Sequence, residues 1–213
     1  MTAELIGNTC YLYVLDTLAD WEIAHITAEL YSGRFLDKTN GDFTITKIGN
    51  TLQPVITMGG MQITPDQAIT GTGFKKGDLL ILPGGDTWLE EKNRQIIQMV
   101  PALLEKGVIV AAICGATVAL AGAGILNDKK HTSNNKEFLV SSCPGYAGAD
   151  LYVDVPAVVD GNLITATGLA ALEFSYEVFK KTGAMKEAAL EAWYGLYKTR
   201  EPQYFYALME SLK

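Results

Sequence analysis

The chain has 213 residues, 48% of them hydrophobic and 19% charged, and its 24 acidic and 17 basic side chains give a net charge of −7. This length and composition predict a globular chain with a substantial buried core and exclude an intrinsically disordered one. The acidic balance also argues against nucleic acid as a partner, because an acidic surface repels phosphate backbones.

The first residues, MTAELIGNTC, have neither the basic start nor the apolar stretch of a secretory leader. The three cysteines do not predict a disulfide framework, since their number is odd and the chain is long. Their spacing, with only two histidines in the chain, matches no metal-binding pattern. We therefore expect a cytoplasmic protein with free thiols, no metal and no cofactor.

Strands and helices alternate in the first half of the chain. The apolar runs and periodicities predict a strand at 11–16, a helix at 19–32, a strand at 43–49, a hairpin-like segment at 54–66 turning at Gly59-Gly60, a strand at 78–85 and a helix at 93–107. Pro101 lies inside the last of these helices and predicts a kink or a break there.

The stretch from Gly107 to Leu126 carries no charge and is about long enough to cross a bilayer. Its first half, VIVAAI, is rich in β-branched residues, and its second half, CGATVALAGAG, is rich in small ones. This order predicts a buried strand that runs into a closely packed helix rather than one lipid-facing helix. We therefore expect no association with a membrane.

The second half of the chain continues the alternation. It predicts a short strand within 129–135, a helix at 135–143, two strands within 151–167 joined at Asp160-Gly161, a helix at 169–183, and further helices near 185–198 and 202–212. Strands that alternate with helices indicate a mostly parallel sheet with helices on both faces. We expect all 213 residues to form one domain.

Three predicted strand ends carry candidate functional residues, because ligands of such sheets bind beyond the carboxyl ends of the strands. One of them is Cys114, whose small neighbours Ala112 and Gly115 suit a sharp strand-to-helix turn. The first amides of the following helix favour a thiolate with a lowered pKa and could hold an oxyanion. Free cysteines are also often buried and inert. The residues alone therefore leave open whether Cys114 is a reactive thiol or a core residue.

The segment AAICGATVALAGAGIL resembles the nucleophile elbow of the ThiJ/PfpI family, within the class I glutamine amidotransferase-like superfamily. LLILPGG resembles the glycine pair that follows a central strand of that family, and ADWE resembles its acidic residue beside the cysteine. VVDGNLITATGLAALEFSYEVF resembles its late hairpin, glycine turn and helix. The resemblance runs from Tyr11 to Lys181 and implies a flavodoxin-like three-layer α/β sandwich, followed by a helical C-terminal extension over 184–213.

The resemblance assigns roles to five residues at these strand ends. Cys114 would be the nucleophile or an oxidation-sensitive thiol, with a protonated Glu22 beside it. Asp20 is the alternative for the acidic residue. The amides of Gly85 and Gly115 would form the oxyanion pocket.

Enzymes of this family usually supply a histidine near the cysteine, and here the pattern departs from the family. Gly115 directly follows the cysteine, and either Ser133 or Asn134 occupies the second position, at the end of the next strand. His131 shares a strand face with Ser133 and reaches the site if that strand is shifted; otherwise it faces a helix.

Several further residues have open roles. His25 lies on the same side of the first helix as the acidic residue and either extends the site or is structural. Cys143 is either a resolving thiol or a bystander. Gly84 and Asn134 are expected to line the pocket, and Tyr146 and Asp150 would join them if the loop after Cys143 folds over the site.

The C-terminal extension is rich in aromatic residues. They are Trp193, Tyr194, Tyr197, Tyr204, Phe205 and Tyr206. Such a cluster marks an interface or a pocket lid, or it covers the core and the sheet edge. Because members of the family are often dimers, we expect a homodimer.

The sequence predicts an enzyme that attacks a small electrophile with a thiolate, either as an amidase-like hydrolase or as a glyoxalase- or hydratase-like enzyme. Peptide hydrolysis needs a proton donor for the leaving amine, and none is evident. The segment GLAALEF lacks the late histidine that glutamine amidotransferases need, so that activity is not expected. The alternatives are a non-enzymatic redox sensor or stress-response protein and a catalytically silent binding module. The substrate, an unidentified small molecule, is open.

Overall fold

The computed structural model describes residues 8–41 and 43–213. Residues 1–7, where the sequence predicts no secretory leader, lie outside the described part. The strands are β1 (Thr9–Tyr13), β2 (Thr44–Gly49), β3 (Val55–Ile56), β4 (Gln62–Ile63), β5 (Gln67–Ala68), β6 (Leu79–Leu82), β7 (Ile109–Ile113), β8 (Ala157–Asp160) and β9 (Leu163–Ala166). The helices are α1 (Asp20–Ser32), α2 (Arg94–Glu105), α3 (Gly115–Gly122), α4 (Lys136–Ser142), α5 (Ala171–Thr182), α6 (Glu187–Thr199) and α7 (Pro202–Ser211).

Seven strands form one sheet in the order β5-β2-β1-β6-β7-β9-β8. Every neighbouring pair is parallel except the β8–β9 hairpin. The central strands β6 and β7 are buried along their whole length, as their continuous apolar sequences predict. β3 and β4 form a separate two-stranded hairpin.

Helices cover both faces of this sheet. The β1–α1–β2 connection runs toward one edge and the β6–α2–β7 connection toward the other, so right-handed crossovers place α1 and α2 on opposite faces. α1 packs against α5, whereas α2 packs against β7. The predicted flavodoxin-like three-layer sandwich is therefore confirmed.

The two most ambiguous predictions in the first half of the chain are resolved. The hairpin of β3 and β4 turns at Gly59-Gly60 as predicted, and Gly60 has a φ of 80°, which favours glycine. α2 runs through Pro101 without a break. Pro101 is exposed, and its ring removes one helical hydrogen bond, to the carbonyl four residues earlier, without ending the helix.

The stretch from Gly107 to Leu126 forms β7 and α3, as predicted. Among residues 8–41 and 43–213, no helix combines the length and the apolar character that a bilayer crossing requires.

The strand predicted within 129–135 is wrong. In the described structure, this segment makes one isolated bridge, between His131 and Tyr152. The backbone N–H of Thr132 donates to the side-chain hydroxyl of Thr165 on β9 at 2.9 Å, and not to a backbone carbonyl of that strand. The positions on both sides of β9 are taken by β7 and β8, so the segment does not join the sheet.

The aromatic residues of the C-terminal helices divide between core and surface. Trp193 on α6 is fully buried, and its ring centroid lies 5.2 Å from that of Phe179 on α5. Phe205 and Tyr206 on α7 are exposed. α6 therefore covers the core, which is one of the two predicted roles, and the homodimer stays a prediction.

The carboxyl ends of β1, β6, β7 and β9 share one edge of the sheet, because these strands are parallel. The segments that follow them are 16–22, 83–86, 114–115 and 167–169. The three predicted strand ends therefore meet, and a fourth from β9 joins them.

Candidate active site

Cys114 lies at the sharp turn between β7 and α3. Its φ of 57° and ψ of −121° are strained for a residue with a side chain. Its N–H donates to the carbonyl of Ala166 at 3.0 Å, which ties the turn to β9. Gly115 has no room for a side chain, since a Cβ there would lie 2.5 Å from the carbonyl oxygen of Gly85. The small residues around Cys114 therefore permit the turn.

Buried hydroxyl groups support the backbone of this turn. The Thr117 hydroxyl donates to the Cys114 carbonyl at 2.6 Å, so the Ser133 hydroxyl 2.7 Å away must donate to Thr117. The Tyr152 hydroxyl donates to the carbonyl of Ser133 at 3.0 Å. Ser133 therefore faces Thr117 and holds the turn from behind, rather than facing the sulfur.

Glu22 is fully buried in the first turn of α1 and lies beside the thiol. Its Oε2 accepts the N–H of Gly84 at 2.5 Å. Its Oε1 is buried with no nitrogen or oxygen partner among the described residues. A Cβ on Gly168 would lie 3.0 Å from this Oε1 and 2.8 Å from Cys114 Sγ, which places both atoms against the same glycine. Oε1 is thus left to interact with the sulfur.

Burial governs the ionisation of both groups. It raises the pKa of Glu22 from 4.5 to about 7, although the Gly84 N–H and the thiol favour the carboxylate. Burial also raises the pKa of Cys114; the Asn134 amide lowers it, and the Glu22 carboxylate raises it further. The Gly115 amide of the following helix lowers the thiol pKa, but desolvation outweighs it, so the net direction is upward. The two groups titrate as a coupled pair, and a proton on Glu22 removes the charge that opposes a thiolate.

Asn134 occupies the position at which the family pattern suggests a histidine. Its Oδ1 accepts the N–H of Gly168 at 2.8 Å, so its Nδ2 faces Cys114 Sγ and donates to it at 3.2 Å. An amide does not titrate, so Asn134 stabilises negative charge on the sulfur but cannot act as a base.

Replacing Asn134 with aspartate is expected to slow alkylation of Cys114 at pH 7 by about tenfold, because a carboxylate cannot donate and its charge raises the thiol pKa by about one unit. The rate is measured with iodoacetamide and peptide mass spectrometry. Asn162→Asp, at the opposite end of β9, adds the same charge away from the site and serves as the control. Equal rates in wild type and Asn134→Asp would show that the amide does not act on the sulfur.

Gly85 and Gly115 lie next to each other at the ends of β6 and β7. The Gly115 N–H bonds to Cys114 and lowers the pKa of its thiol. The Gly85 nitrogen would lie 3.3 Å from a Cβ on Gly115. This placement is compatible with the oxyanion pocket that the resemblance implies, in which both amides face a substrate oxygen.

The structure does not bring His131 or Tyr146 to the thiol. His131 is buried, with Nδ1 2.7 Å from the Lys129 carbonyl and Nε2 2.7 Å from the Tyr146 hydroxyl. A carbonyl only accepts, so Nδ1 carries the proton and Nε2 accepts from Tyr146. Both ring nitrogens are thus occupied away from the sulfur, and burial lowers the pKa of His131.

Asp20 and His25 also face away from the sulfur. Asp20 Oδ2 accepts the N–H of Gly59 at 2.7 Å and so holds the β3–β4 hairpin against α1. The ring centroid of His25 lies 5.6 Å from that of Trp193 and 4.7 Å from that of Tyr197, so His25 faces α6. Glu22 is therefore the acidic residue beside the thiol.

The other cysteines are buried, whereas Cys114 is partly exposed. Cys143 Sγ lies 3.6 Å from the Val118 carbonyl, and burial raises the pKa of both Cys10 and Cys143. Asp150 is exposed in a short turn after α4. None of the described contacts places Cys143 or Asp150 at Cys114.

Gly168 and Trp21 are not among the site residues that the sequence predicts. Gly168 packs against the sulfur, donates its N–H to Asn134 and accepts the indole N–H of Trp21 at 3.3 Å. The sequence signal that could have identified Gly168 is its position directly after the last parallel strand, at the sheet edge where the other candidate residues lie.

Comparisons with known proteins agree with one another. The model of the DJ-1/PfpI family matches residues 8–181. The "Uncharacterized protease YoaZ" of Bacillus subtilis is 42% identical over 202 residues, which are 95% of this chain and 96% of that protein. The crystal structure of a thiJ/pfpI family protein from Bacillus anthracis superposes with a TM-score of 0.94 at 46% identity and covers 96% of each chain.

A more distant relative carries a different name. The "Glutathione-independent glyoxalase DJR-1.2" of Caenorhabditis elegans is 24% identical over 140 residues, which are 65% of this chain and 73% of that protein.

Proposed function

Because the chain belongs to the DJ-1/PfpI family, we propose that it is an enzyme whose Cys114 thiolate adds to the carbonyl carbon of a small aldehyde. The observation that carries this proposal is the buried carboxyl of Glu22, whose unpartnered Oε1 lies with Cys114 Sγ against Gly168. The name of the C. elegans relative, a glutathione-independent glyoxalase, supports an aldehyde as the substrate.

The addition step uses the proton that the coupled pair holds. With the proton on Glu22, the sulfur lone pair forms a C–S bond, and the π electrons of the carbonyl move to its oxygen. The amides of Gly85 and Gly115 stabilise that oxygen, which then takes the proton of Glu22. The products are a neutral hemithioacetal on Cys114 and a carboxylate on Glu22.

That carboxylate then acts as a base on the bound adduct. In the adduct of a 2-oxoaldehyde, Glu22 removes the hydrogen of the former aldehyde carbon, which gives an enediolate. The hydroxyl proton on that carbon passes to the neighbouring oxygen, and Glu22 returns its hydrogen to the neighbouring carbon, which leaves a 2-hydroxy thioester on Cys114. Water hydrolyses the thioester, releases a 2-hydroxy acid and restores the thiol. The net reaction consumes one water per 2-oxoaldehyde and needs no oxidant or reductant.

Proteolysis fits the described groups less well than aldehyde addition. A peptide bond breaks only when its amine leaving group receives a proton, in addition to attack by the nucleophile. Glu22 is the titratable side chain that acts on Cys114 among the described residues. Asn134 does not titrate, and His131 is engaged with Lys129 and Tyr146.

The experiment is to incubate the purified protein with a methyl-substituted 2-oxoaldehyde, without glutathione, and to follow the 2-hydroxy acid by NMR. We expect steady catalytic turnover. A separate sample of the same preparation is treated with iodoacetamide to show that the Cys114 thiol is reactive. If the thiol reacts and the untreated protein shows no turnover, the proposed activity is refuted.

A second candidate, a redox sensor, is favoured by the difference in exposure between Cys114 and the two buried cysteines. Mild peroxide is then expected to add two oxygen atoms selectively at Cys114, because oxidation to sulfinic acid follows access and thiolate character. Peptide mass spectrometry measures the product at each cysteine. Equal oxidation of Cys10, Cys114 and Cys143 would contradict this role.

A further inference from the structure

Two apolar side chains flank Gly168, the glycine that follows β9: Trp21 through a hydrogen bond and Leu169 as the next residue. The indole N–H of Trp21 donates to the carbonyl of Gly168, the residue that packs against Cys114 Sγ. The Trp21 side chain is 54% exposed although this hydrogen bond fixes it. Leu169, the next residue after Gly168, is 98% exposed. Together they place hydrocarbon surface next to the residue that contacts the sulfur.

The oxyanion amides lie on the other side of Cys114. β6 and β9 flank β7 in the sheet, so Gly85 at the end of β6 and Gly168 at the end of β9 lie on opposite sides of the nucleophile. An aldehyde whose oxygen faces Gly85 and Gly115 therefore directs its substituent toward Trp21 and Leu169.

The charge at the site disfavours an anionic substituent. Among residues 8–41 and 43–213, Glu22 is the charged side chain that shifts the pKa of the Cys114 thiol, and no cationic side chain contributes to that shift. When Cys114 and Glu22 share one proton, the pair carries one negative charge, on the sulfur or on the carboxylate, and this charge repels an anion bound beside it. A hydrocarbon group gains from leaving water against the indole of Trp21.

We propose that Trp21 and Leu169 form an apolar subsite that selects uncharged aldehydes carrying a hydrocarbon substituent over anionic ones. This inference rests on the proposed function, because it names the substrate class of the same thiol. Trp21 and Leu169 are specificity-determining residues in this assignment, and the reacting groups remain Cys114 and Glu22.

The test compares three alkylating reagents that share one reactive group: iodoacetate, iodoacetamide and N-benzyl iodoacetamide. Their rates at Cys114 are measured by peptide mass spectrometry and divided by their rates with N-acetylcysteine. We expect the benzyl reagent to exceed iodoacetate by at least about tenfold, a size typical of contacts in an apolar pocket. Equal normalised rates would overturn the subsite.

Variants separate the subsite from general access to the thiol. Trp21→Ala and Leu169→Ala are each expected to lower the benzyl preference severalfold, whereas Trp21→Phe keeps much of it because the ring remains. Tyr31→Ala removes a side chain that is 85% exposed at the end of α1 opposite Glu22, and it leaves the preference unchanged. An unchanged preference in both Trp21→Ala and Leu169→Ala would contradict the assignment.

Alkylation does not require turnover, so the two proposals fail separately. A benzyl preference without conversion of 2-oxoaldehydes supports the subsite and refutes the proposed activity. Conversion of phenyl- and carboxyphenyl-substituted 2-oxoaldehydes at equal kcat/KM supports the activity and refutes the subsite.

Discussion

Replacing Cys114 with serine is expected to lower kcat/KM for a 2-oxoaldehyde by at least about 10³-fold, in the range seen when a nucleophile is removed. The serine hydroxyl fits the strained turn, but it stays protonated near neutral pH and is a far weaker nucleophile than a thiolate. Glu22 cannot compensate, because it holds only the one proton that the addition step needs. Steady-state kinetics of purified wild type and variant measure the loss.

Cys143→Ser is the matched control for this variant. Cys143 is buried with its sulfur near the Val118 carbonyl, and a serine hydroxyl can donate to the same oxygen. We expect its kcat/KM to remain within about threefold of wild type, since the site is untouched and only stability changes slightly. Full activity in Cys114→Ser would show that the thiol takes no part in the reaction.

Replacing Glu22 with glutamine is expected to lower activity by about 10²- to 10⁴-fold, the usual loss for a general acid–base group. The amide still accepts the N–H of Gly84, but it cannot give a proton to the substrate oxygen or remove one from carbon. The same variant is expected to gain stability at alkaline pH, because a buried carboxylate is lost.

The direction of that gain follows from the raised pKa. Folding raises the pKa of Glu22 from 4.5 to about 7, so the folded state binds more protons than the unfolded state between these values. The stabilising contribution is complete below the ordinary pKa and is lost as the pH rises through 7. Wild type should therefore lose up to about 3 kcal/mol of unfolding free energy between pH 4 and 8 through this group.

Denaturant unfolding at several pH values between 4 and 8 measures this contribution in wild type and in Glu22→Gln. The variant should lack this pH dependence and exceed wild type in stability at pH 8. Glu105→Gln, an exposed residue at the end of α2, is the control and should follow the wild-type curve. If Glu22→Gln is less stable than wild type at pH 8, the claim that a buried Glu22 carboxylate destabilises the folded state is contradicted.

The sequence predicted the elements whose local signals agree with their tertiary surroundings. The apolar runs of β6 and β7 and the glycine pair of the β3–β4 hairpin are examples. The strand expected at 129–135 failed because hydrogen bonds to the Thr165 side chain and to the loop before β8 replace strand pairing there. β5 was missed because two residues carry no periodic signal.

The candidate site was only partly predictable. The family resemblance placed Glu22 and Cys114 together, and it offered Ser133 and Asn134 as alternatives that the sequence could not separate. The hydrogen bond from Asn134 to the sulfur depends on Gly168, which lies far from it in the chain. The net direction of the thiol pKa shift could not be predicted from the sequence, because desolvation depends on tertiary burial, which a local helix-dipole argument does not contain.

The most direct test of the account is the pH dependence of Cys114 alkylation in wild type and Glu22→Gln, resolved by peptide mass spectrometry. The wild-type profile should show an inflection near pH 7 from Glu22 and a thiol that ionises at higher pH. In Glu22→Gln that inflection should vanish and the thiol pKa should fall, because the opposing carboxylate is gone. Superimposable profiles, or no labelling of Cys114 without denaturant, would contradict a shared proton between the two residues.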